Sequence, residues 1–166
     1  MKAIVHADKN WGIGSGNSLM FRLPADMKFF RQTTTGNTVV IGGNTLRSFP
    51  GGLPLKDRLN IVLSKSIEDR QDCIVVRNES QLFDAIKHRA VGEVYVAGGA
   101  SIYKLLLPYC ESVLVTKVDA DGGADTFFPD LDADGSFALE GCGDDIVTNG
   151  FTIRMCVYRN LFPKQI

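Results

Sequence analysis

The four cysteines, Cys73, Cys110, Cys142 and Cys156, include no C-x-x-C pair, which argues against a zinc site and against a dithiol redox motif. All four are expected to be reduced and to serve as small apolar fillers, and no metal is expected. Neither sign of charge dominates. Lys and Arg number 18 against 19 Asp and Glu, the formal net charge is −1 and the pI is about 6.1, so the basic footprint that a nucleic-acid backbone demands is missing. No run of about 18 apolar residues occurs, and the start Met1-Lys2-Ala3-Ile4-Val5 turns polar at His6, before a secretory apolar stretch could form. A cytoplasmic protein is expected, with a small molecule as partner and neither nucleic acid nor membrane. Asn78-Glu79-Ser80 fits a glycosylation sequon, but without export that modification is not expected.

What is present suits one domain over residues 1–166. A hydrophobic content of 45% with 22% charged residues can form a single core, and no linker, repeat or low-complexity tract divides the chain. Short β-branched runs alternate with stretches of helical period, the pattern of crossover units around a largely parallel sheet, so the class is α/β. Strands are predicted over 2–7, 38–42, 58–63, 73–76, 93–97 and 111–118, and helices over 24–34, 44–48, 79–89 and 100–107. Residues 119 to 135 are rich in Asp and Gly. After them, strand-like segments near 136–141 and 151–159 flank the Gly143 to Gly150 turn region and predict an antiparallel hairpin.

Three features could carry chemistry. In Leu23-Pro24-Ala25-Asp26-Met27-Lys28-Phe29-Phe30-Arg31, Pro24 suits a first helical position, and helical spacing puts Asp26 on one face with Met27 and Phe30. Such an acid either complements the positive helix end or, in apolar surroundings, holds a proton more readily and can act as a general acid. Val39-Val40-Ile41-Gly42-Gly43-Asn44-Thr45 and Val94-Tyr95-Val96-Ala97-Gly98-Gly99-Ala100-Ser101 each read as strand, Gly-Gly and helix start. Each is either a tight turn or a place where bare N–H groups meet anionic oxygens, and two of them would suit a dinucleotide. Neither has the G-x-G-x-x-G spacing of the Rossmann fingerprint. The third feature is the polar, glycine-rich stretch from Asp8 to Ser18, which is either a plain surface loop or a lid.

Together these pieces resemble the dihydrofolate reductase family from Ile4 to about Tyr158. The residues that carry the resemblance are Trp11-Gly12-Ile13-Gly14, Leu23-Pro24-Ala25-Asp26-Met27-Lys28-Phe29-Phe30, Gly42-x-x-Thr45, Arg58-x-Asn60-Ile61-Val62-Leu63-Ser64, Gly98-Gly99-Ala100-Ser101-Ile102-Tyr103 and Asp125-Thr126-Phe127-Phe128-Pro129. The resemblance implies a central eight-stranded, mostly parallel sheet with an antiparallel C-terminal strand and helices on both faces. It implies NADPH-dependent reduction of dihydrofolate to tetrahydrofolate by a monomer that antifolate inhibitors would also bind. Asp26 would hold the pteridine with Thr116 as its hydroxyl partner and Phe21 as a neighbouring wall, while Ile4, Val5, Met27, Phe30, Phe49 and Ala97 would line the substrate site. Arg58 would grip the α-carboxylate of the glutamate tail. The cofactor would lie along Gly42, Gly43, Asn44 and Thr45, then Leu63, Ser64 and Lys65, then Gly98, Gly99, Ala100, Ser101, Ile102 and Tyr103. Its nicotinamide would sit near His6, Ile13, Gly14, Asn17 and Leu19.

Three positions depart from the family pattern. Met20-Phe21 replaces Pro-Trp, so an indole N–H near Asp26 is missing. His6 stands where the family normally has a small alanine, and Gly43 where an arginine commonly pairs with the cofactor's 2′-phosphate. Lys65 and Ser64 are then expected to take over that phosphate. Two other readings stay open on sequence: a pyrimidine reductase of riboflavin synthesis, which shares the fold, and a nucleotide-binding protein without turnover.

Overall fold

A computed structural model describes all 166 residues. The main elements follow in chain order as β1 (Lys2–Ala7), β2 (Gly12–Gly14), α1 (Pro24–Thr34), β3 (Thr38–Gly42), α2 (Gly43–Ser48), β4 (Leu59–Leu63), β5 (Ile74–Val76), α3 (Glu79–Arg89), β6 (Val94–Val96), α4 (Ala100–Leu106), β7 (Ser112–Val118), β8 (Thr126–Phe127), β9 (Phe137–Cys142), β10 (Ile146–Thr148) and β11 (Phe151–Asn160). The sheet is eight strands across, in the order β10-β11-β7-β1-β6-β3-β4-β5, with β9 sharing the outer edge of β11 with β10. From β7 to β5 all pairs are parallel, and β11 is antiparallel to β7.

Strand alternation sends the helices to both faces. On β3, Val40 packs into the large core with Leu82 and Ala85 of α3 and Ile102, Tyr103 and Leu106 of α4. Its neighbours Val39 and Ile41 point the other way, against Phe29 and Phe30 of α1 and Leu46 of α2. Each fully buried aliphatic side chain contributes roughly 1.5–3 kcal/mol, so apolar burial sets the frame and the polar site residues ride on it. Pro24 does open α1; with no cap from Leu23, the Ala25 N–H finds Thr148 Oγ1 of β10 at 3.2 Å. Asn78 of the sequon is the N-cap of α3, accepting from the Gln81 N–H at 2.9 Å.

The C-terminal third differs from expectation in three ways. The Gly143 to Gly150 region is not only a turn, because β10 lies inside it and pairs with the start of β11 through Asn149-Gly150, both at positive φ as a two-residue hairpin turn requires. β2 and β8 form a separate two-stranded ribbon. The third difference corrects the cysteine reading: Cys142 and Cys156 face each other across β9 and β11 and form a disulfide, while Cys73 and Cys110 are free. Pairing depends on strand register, which cysteine spacing does not reveal.

Purified under oxidising conditions and unfolded without reductant, the chain should therefore expose two reactive thiols, rising to four after reduction, as a chromogenic thiol reagent would measure. Four thiols without reduction would contradict the cross-strand pair.

Candidate active site

Because β1, β3, β4 and β6 run parallel, their carboxyl ends meet at one edge of the sheet, bringing His6, Gly42, Leu63 and Ala97 together. Asp26, on the first turn of α1, reaches this edge. Its Oδ1 accepts from Thr116 Oγ1 of β7 at 2.6 Å, and its Oδ2 lies 3.0 Å from His6 Nδ1 of β1. Thr116 and His6 are register partners on adjacent strands, so one carboxylate is held by two neighbours of the sheet. The carboxylate is thus placed in a polar, hydrogen-bonded niche rather than a purely apolar one. The Asp26 side chain is 14% exposed and that of His6 8%. Phe21 is buried with Leu23, Val118 and Ile153, its ring edge-on to Phe151 and 6.5 Å from the His6 ring.

Ile4, Phe30 and Ala97 pack in one cluster on this face of the sheet, and Phe49 and Ala97 both pack against the neighbouring cluster of Ile41, Leu46 and Val62. Met27 is 57% exposed at the open rim. Val5 does not join them: strand alternation turns its side chain into the core on the opposite face, leaving only its main chain near the cleft. Arg58 is half-buried at the end of the cleft, donating from Nε to the Lys56 carbonyl at 2.8 Å and from Nη1 to Thr34 Oγ1 at 3.3 Å. Burial pulls its pKa below the free guanidinium value, with Asp57 opposing and Arg31 adding to the shift. It remains a cation at neutral pH.

The two Gly-Gly turns prove to be neighbours, since β3 and β6 are paired. The Gly42 N–H donates to the Gly98 carbonyl at 2.8 Å, and a Cβ on Gly99 would stand 3.4 Å from Thr45 Oγ1. Gly98 has φ +115°, where a side chain would be strained. A Cβ on Gly43 would fall 2.6 Å from Ser64 Oγ, so a side chain there would require the Ser64 side chain to shift. Ser64 is buried and its hydroxyl oxygen accepts from the Ser66 and Ile67 N–H groups, which leaves its O–H to donate. Lys65 is exposed. On α4 the Ile102 and Tyr103 N–H groups already donate to the Gly99 carbonyl at 3.0 Å each and both side chains are core, which leaves Ala100 and Ser101 as the open part of that turn. Tyr103 instead donates its hydroxyl to the Ile4 carbonyl at 2.7 Å, and burial raises its pKa so that it stays a neutral phenol.

Two open depressions adjoin these turns. One, of about 400 Å³, lies between Ala100, Ser101 and Lys104 and the Phe127-Phe128-Pro129 segment. The other, of about 480 Å³, includes Arg47, Gly51, Gly52, Ser66 and Arg70. Arg47, which sequence reading passed over, bridges Asn44 Oδ1 at 2.9 Å and Ser66 Oγ at 2.6 Å. Only the proximity of two loops reveals it.

Asp8 was also missed. It is 4% exposed and organises the glycine-rich loop: Oδ1 accepts from the Asn10 and Gly12 N–H groups at 2.9 and 2.7 Å, and Oδ2 from the Gly122 N–H at 3.0 Å. An Asx turn at the start of the glycine-rich stretch is the signal that could have found it. Beyond this anchor, Ile13 and Gly14 lie on the β2–β8 ribbon, Asn17 is exposed at the tip and Leu19 is 70% exposed. Burial alone would raise the Asp8 pKa, but the N–H groups of Gly122, Gly12 and Asn10, with Lys9, bring it below the usual value of 3.8.

With the folded-state value below the unfolded one, the Asp8 charge stabilises the fold above about pH 4 and loses that effect as pH falls through the lower folded value. Asp8→Asn should lower stability at neutral pH by about 1–3 kcal/mol, and denaturant unfolding should show the gap from wild type closing in acid.

Comparisons with known proteins bear on the chain as a whole. The family model described as dihydrofolate reductase matches residues 1–144. The chain is 32% identical over 176 residues to the dihydrofolate reductase of Schistosoma mansoni, covering 95% of each chain. It is 33% identical over 132 residues to that of Staphylococcus haemolyticus, covering 79% of this chain and 77% of the relative. Among solved structures it is similar to dihydrofolate reductase from Enterococcus faecalis complexed with NADP(H) and RAB-propyl, with a TM-score of 0.84, 26% identity, and 96% and 95% of the two chains covered. By sequence over most of its length and by fold over nearly all of it, the chain belongs to the dihydrofolate reductase family.

Proposed function

We propose that the protein reduces 7,8-dihydrofolate to 5,6,7,8-tetrahydrofolate with NADPH, as a cytoplasmic monomer of one-carbon metabolism. It is an oxidoreductase of a family that uses NADPH. The observation that supports the substrate most directly is the carboxylate of Asp26, tied to Thr116 and His6 at the sheet edge, next to the paired glycine turns. When bound, the cofactor supplies a hydride from nicotinamide C4 to pteridine C6, while N5 takes up a proton.

A carboxylate offers about four lone-pair sites. Thr116 and His6 occupy two of them, and the remaining two match the N3–H and exocyclic amine of a pteridine. Asp26 would thereby orient and polarise the ring, and water would deliver the N5 proton. Ile4, Phe30, Phe49 and Ala97 provide the apolar walls, and Arg58, held by Lys56 and Thr34, stands ready for the glutamate tail. Main-chain groups of Gly42, Gly43, Asn44, Thr45, Gly98, Gly99, Ala100 and Ser101 would suit a dinucleotide, with the four glycines keeping side chains away from the closest approach of backbone and phosphate. Lys65, exposed next to this turn, would take the 2′-phosphate, with Arg47 adding a second cation at the same corner. In a reducing compartment Cys142 and Cys156 would stand as facing thiols.

Mixing the protein with NADPH and dihydrofolate should give a fall in the cofactor's reduced absorbance band, and no fall would defeat the proposal. Asp26→Asn should keep the fold and lower turnover by about a hundredfold or more at neutral pH. Lys65→Ala should weaken NADPH more than NADH in equilibrium titrations, and equal losses would remove Lys65 from the phosphate site.

A further inference from the structure

Three arginines surround the loop that follows β4, and two of them are neutralised. Arg70 is paired with Asp72, and Arg77 with Asp69. Arg47, on the last turn of α2, is exposed and has no carboxylate partner. Its guanidinium is held instead by two neutral acceptors, Nη1 donating to Asn44 Oδ1 at 2.9 Å and Nη2 to Ser66 Oγ at 2.6 Å. Such partners fix the plane of the fork and leave its charge uncompensated. Nε and the second hydrogen of each Nη carry no acceptor, on a side chain that lines an open depression of about 480 Å³. Glu68, on the same loop, is the remaining acid there and makes no ion pair with Arg47. The corner adjoins the paired glycine turns. β3 and β4 are parallel, so the start of α2 and the loop after β4 leave the same edge of the sheet, beside the contact of Gly42 with Gly98. Gly43 and Arg47 are four residues apart and share a face of α2. That face looks onto this loop, since a Cβ on Gly43 would meet Ser64 and Arg47 meets Ser66.

We propose that Arg47 is the residue by which this chain tells NADPH from NADH, its guanidinium receiving the 2′-phosphate one helical turn beyond the bare Gly43. This rests on the NADPH reading of the site. The group that separates the two cofactors is a phosphate monoester, which carries about −1.5 to −2 charge at neutral pH. It is best met by a cation that no carboxylate has already neutralised and that still has donors to give. Lys65 is the other cation at this corner, and its surroundings make it the weaker reader. It is exposed and makes no hydrogen bond or ion pair through its ammonium, so a flexible stem must be ordered when an anion binds. The fork of Arg47 is already placed. Asn44 and Ser66 are then positioning residues, acting on the phosphate through Arg47. A side chain on α2 leans back toward the first turn, and the bond to Asn44 shows Arg47 doing so, which carries its charge toward the end of the helix where position 43 supplies none.

The test uses the full chain in equilibrium titrations without a folate, so that nothing turns over. NADPH against NADH, and adenosine 2′,5′-bisphosphate against adenosine 5′-monophosphate, isolate the 2′-phosphate from the rest of the cofactor. Arg47→Ala should raise the Kd of NADPH and of the bisphosphate at least about tenfold, and that of NADH and the monophosphate by less than about twofold. Lys65→Ala should cost NADPH less than Arg47→Ala does. Arg47→Lys, which keeps the charge without the fork, should recover part of the NADPH affinity, and Ser66→Ala, which removes one anchor, should weaken NADPH about two- to fivefold and spare NADH. In ³¹P spectra of bound NADPH, the 2′-phosphate resonance should differ between wild type and Arg47→Lys while the pyrophosphate resonances stay in place, which a merely structural role for Arg47 would not produce. If wild type binds both cofactors equally, or if Arg47→Ala stays within about twofold of wild type for NADPH, weakens NADH as much, or costs less than Lys65→Ala, the Arg47 role is overturned while dihydrofolate reduction with NADPH still stands on its own assay. If wild type neither binds NADPH nor reduces dihydrofolate with it, both readings fall. Should Arg47→Ala fail to fold, Arg47→Lys and Ser66→Ala decide by the same measurements.

Discussion

A carboxylate drawn out of water must be met by donors, and the meeting of Asp26 with Thr116 and His6 is what the site depends on. The 2.6 Å bond from Thr116 joins the first turn of α1 to the middle of the sheet, and Thr148 caps the same turn from the outer hairpin. Phe29 and Phe30 supply the apolar part of that docking, but apolar contacts are non-directional. The polar pair orients the turn and leaves the remaining lone pairs of the carboxylate facing the cleft.

A second constraint acts through closeness. One side of the cleft is made where two parallel strands end side by side and where the backbone turns at glycines. Gly42 meets Gly98 through the main chain, and Gly43 leaves room for the buried Ser64 hydroxyl that closes the next loop. The helices that follow are short, six residues for α2 and seven for α4, so individual N–H groups matter more here than any long-helix dipole. Arg47, one turn further along α2, places a guanidinium between Asn44 and Ser66 at the same corner.

Much of this could be read along the chain. The alternation of β-branched runs with helical periods predicts the α/β frame, Pro24 marks the start of α1, and the repeated strand–Gly-Gly–helix pattern marks the ends of β3 and β6. Those are local signals, in which the residue type itself limits backbone conformation. Val5, Ile102 and Tyr103 show where a linear motif misleads, since neighbours in a motif can point to opposite sides of a strand or spend their N–H groups inside a helix. The disulfide and β10 were hidden for a related reason: register between β9, β10 and β11 decides which residues face each other.

The order of residues by itself determined the class of fold, the helix that carries the acid, and the glycines without which two strand ends could not meet, because backbone freedom and periodic burial are written residue by residue. Only the folded chain decided that His6 turns onto Asp26 with one nitrogen left over, that Ser64 accepts from its own loop, and that Asp8 anchors the glycine-rich loop. Those outcomes depend on distances between atoms far apart in sequence, set by strand order and packing.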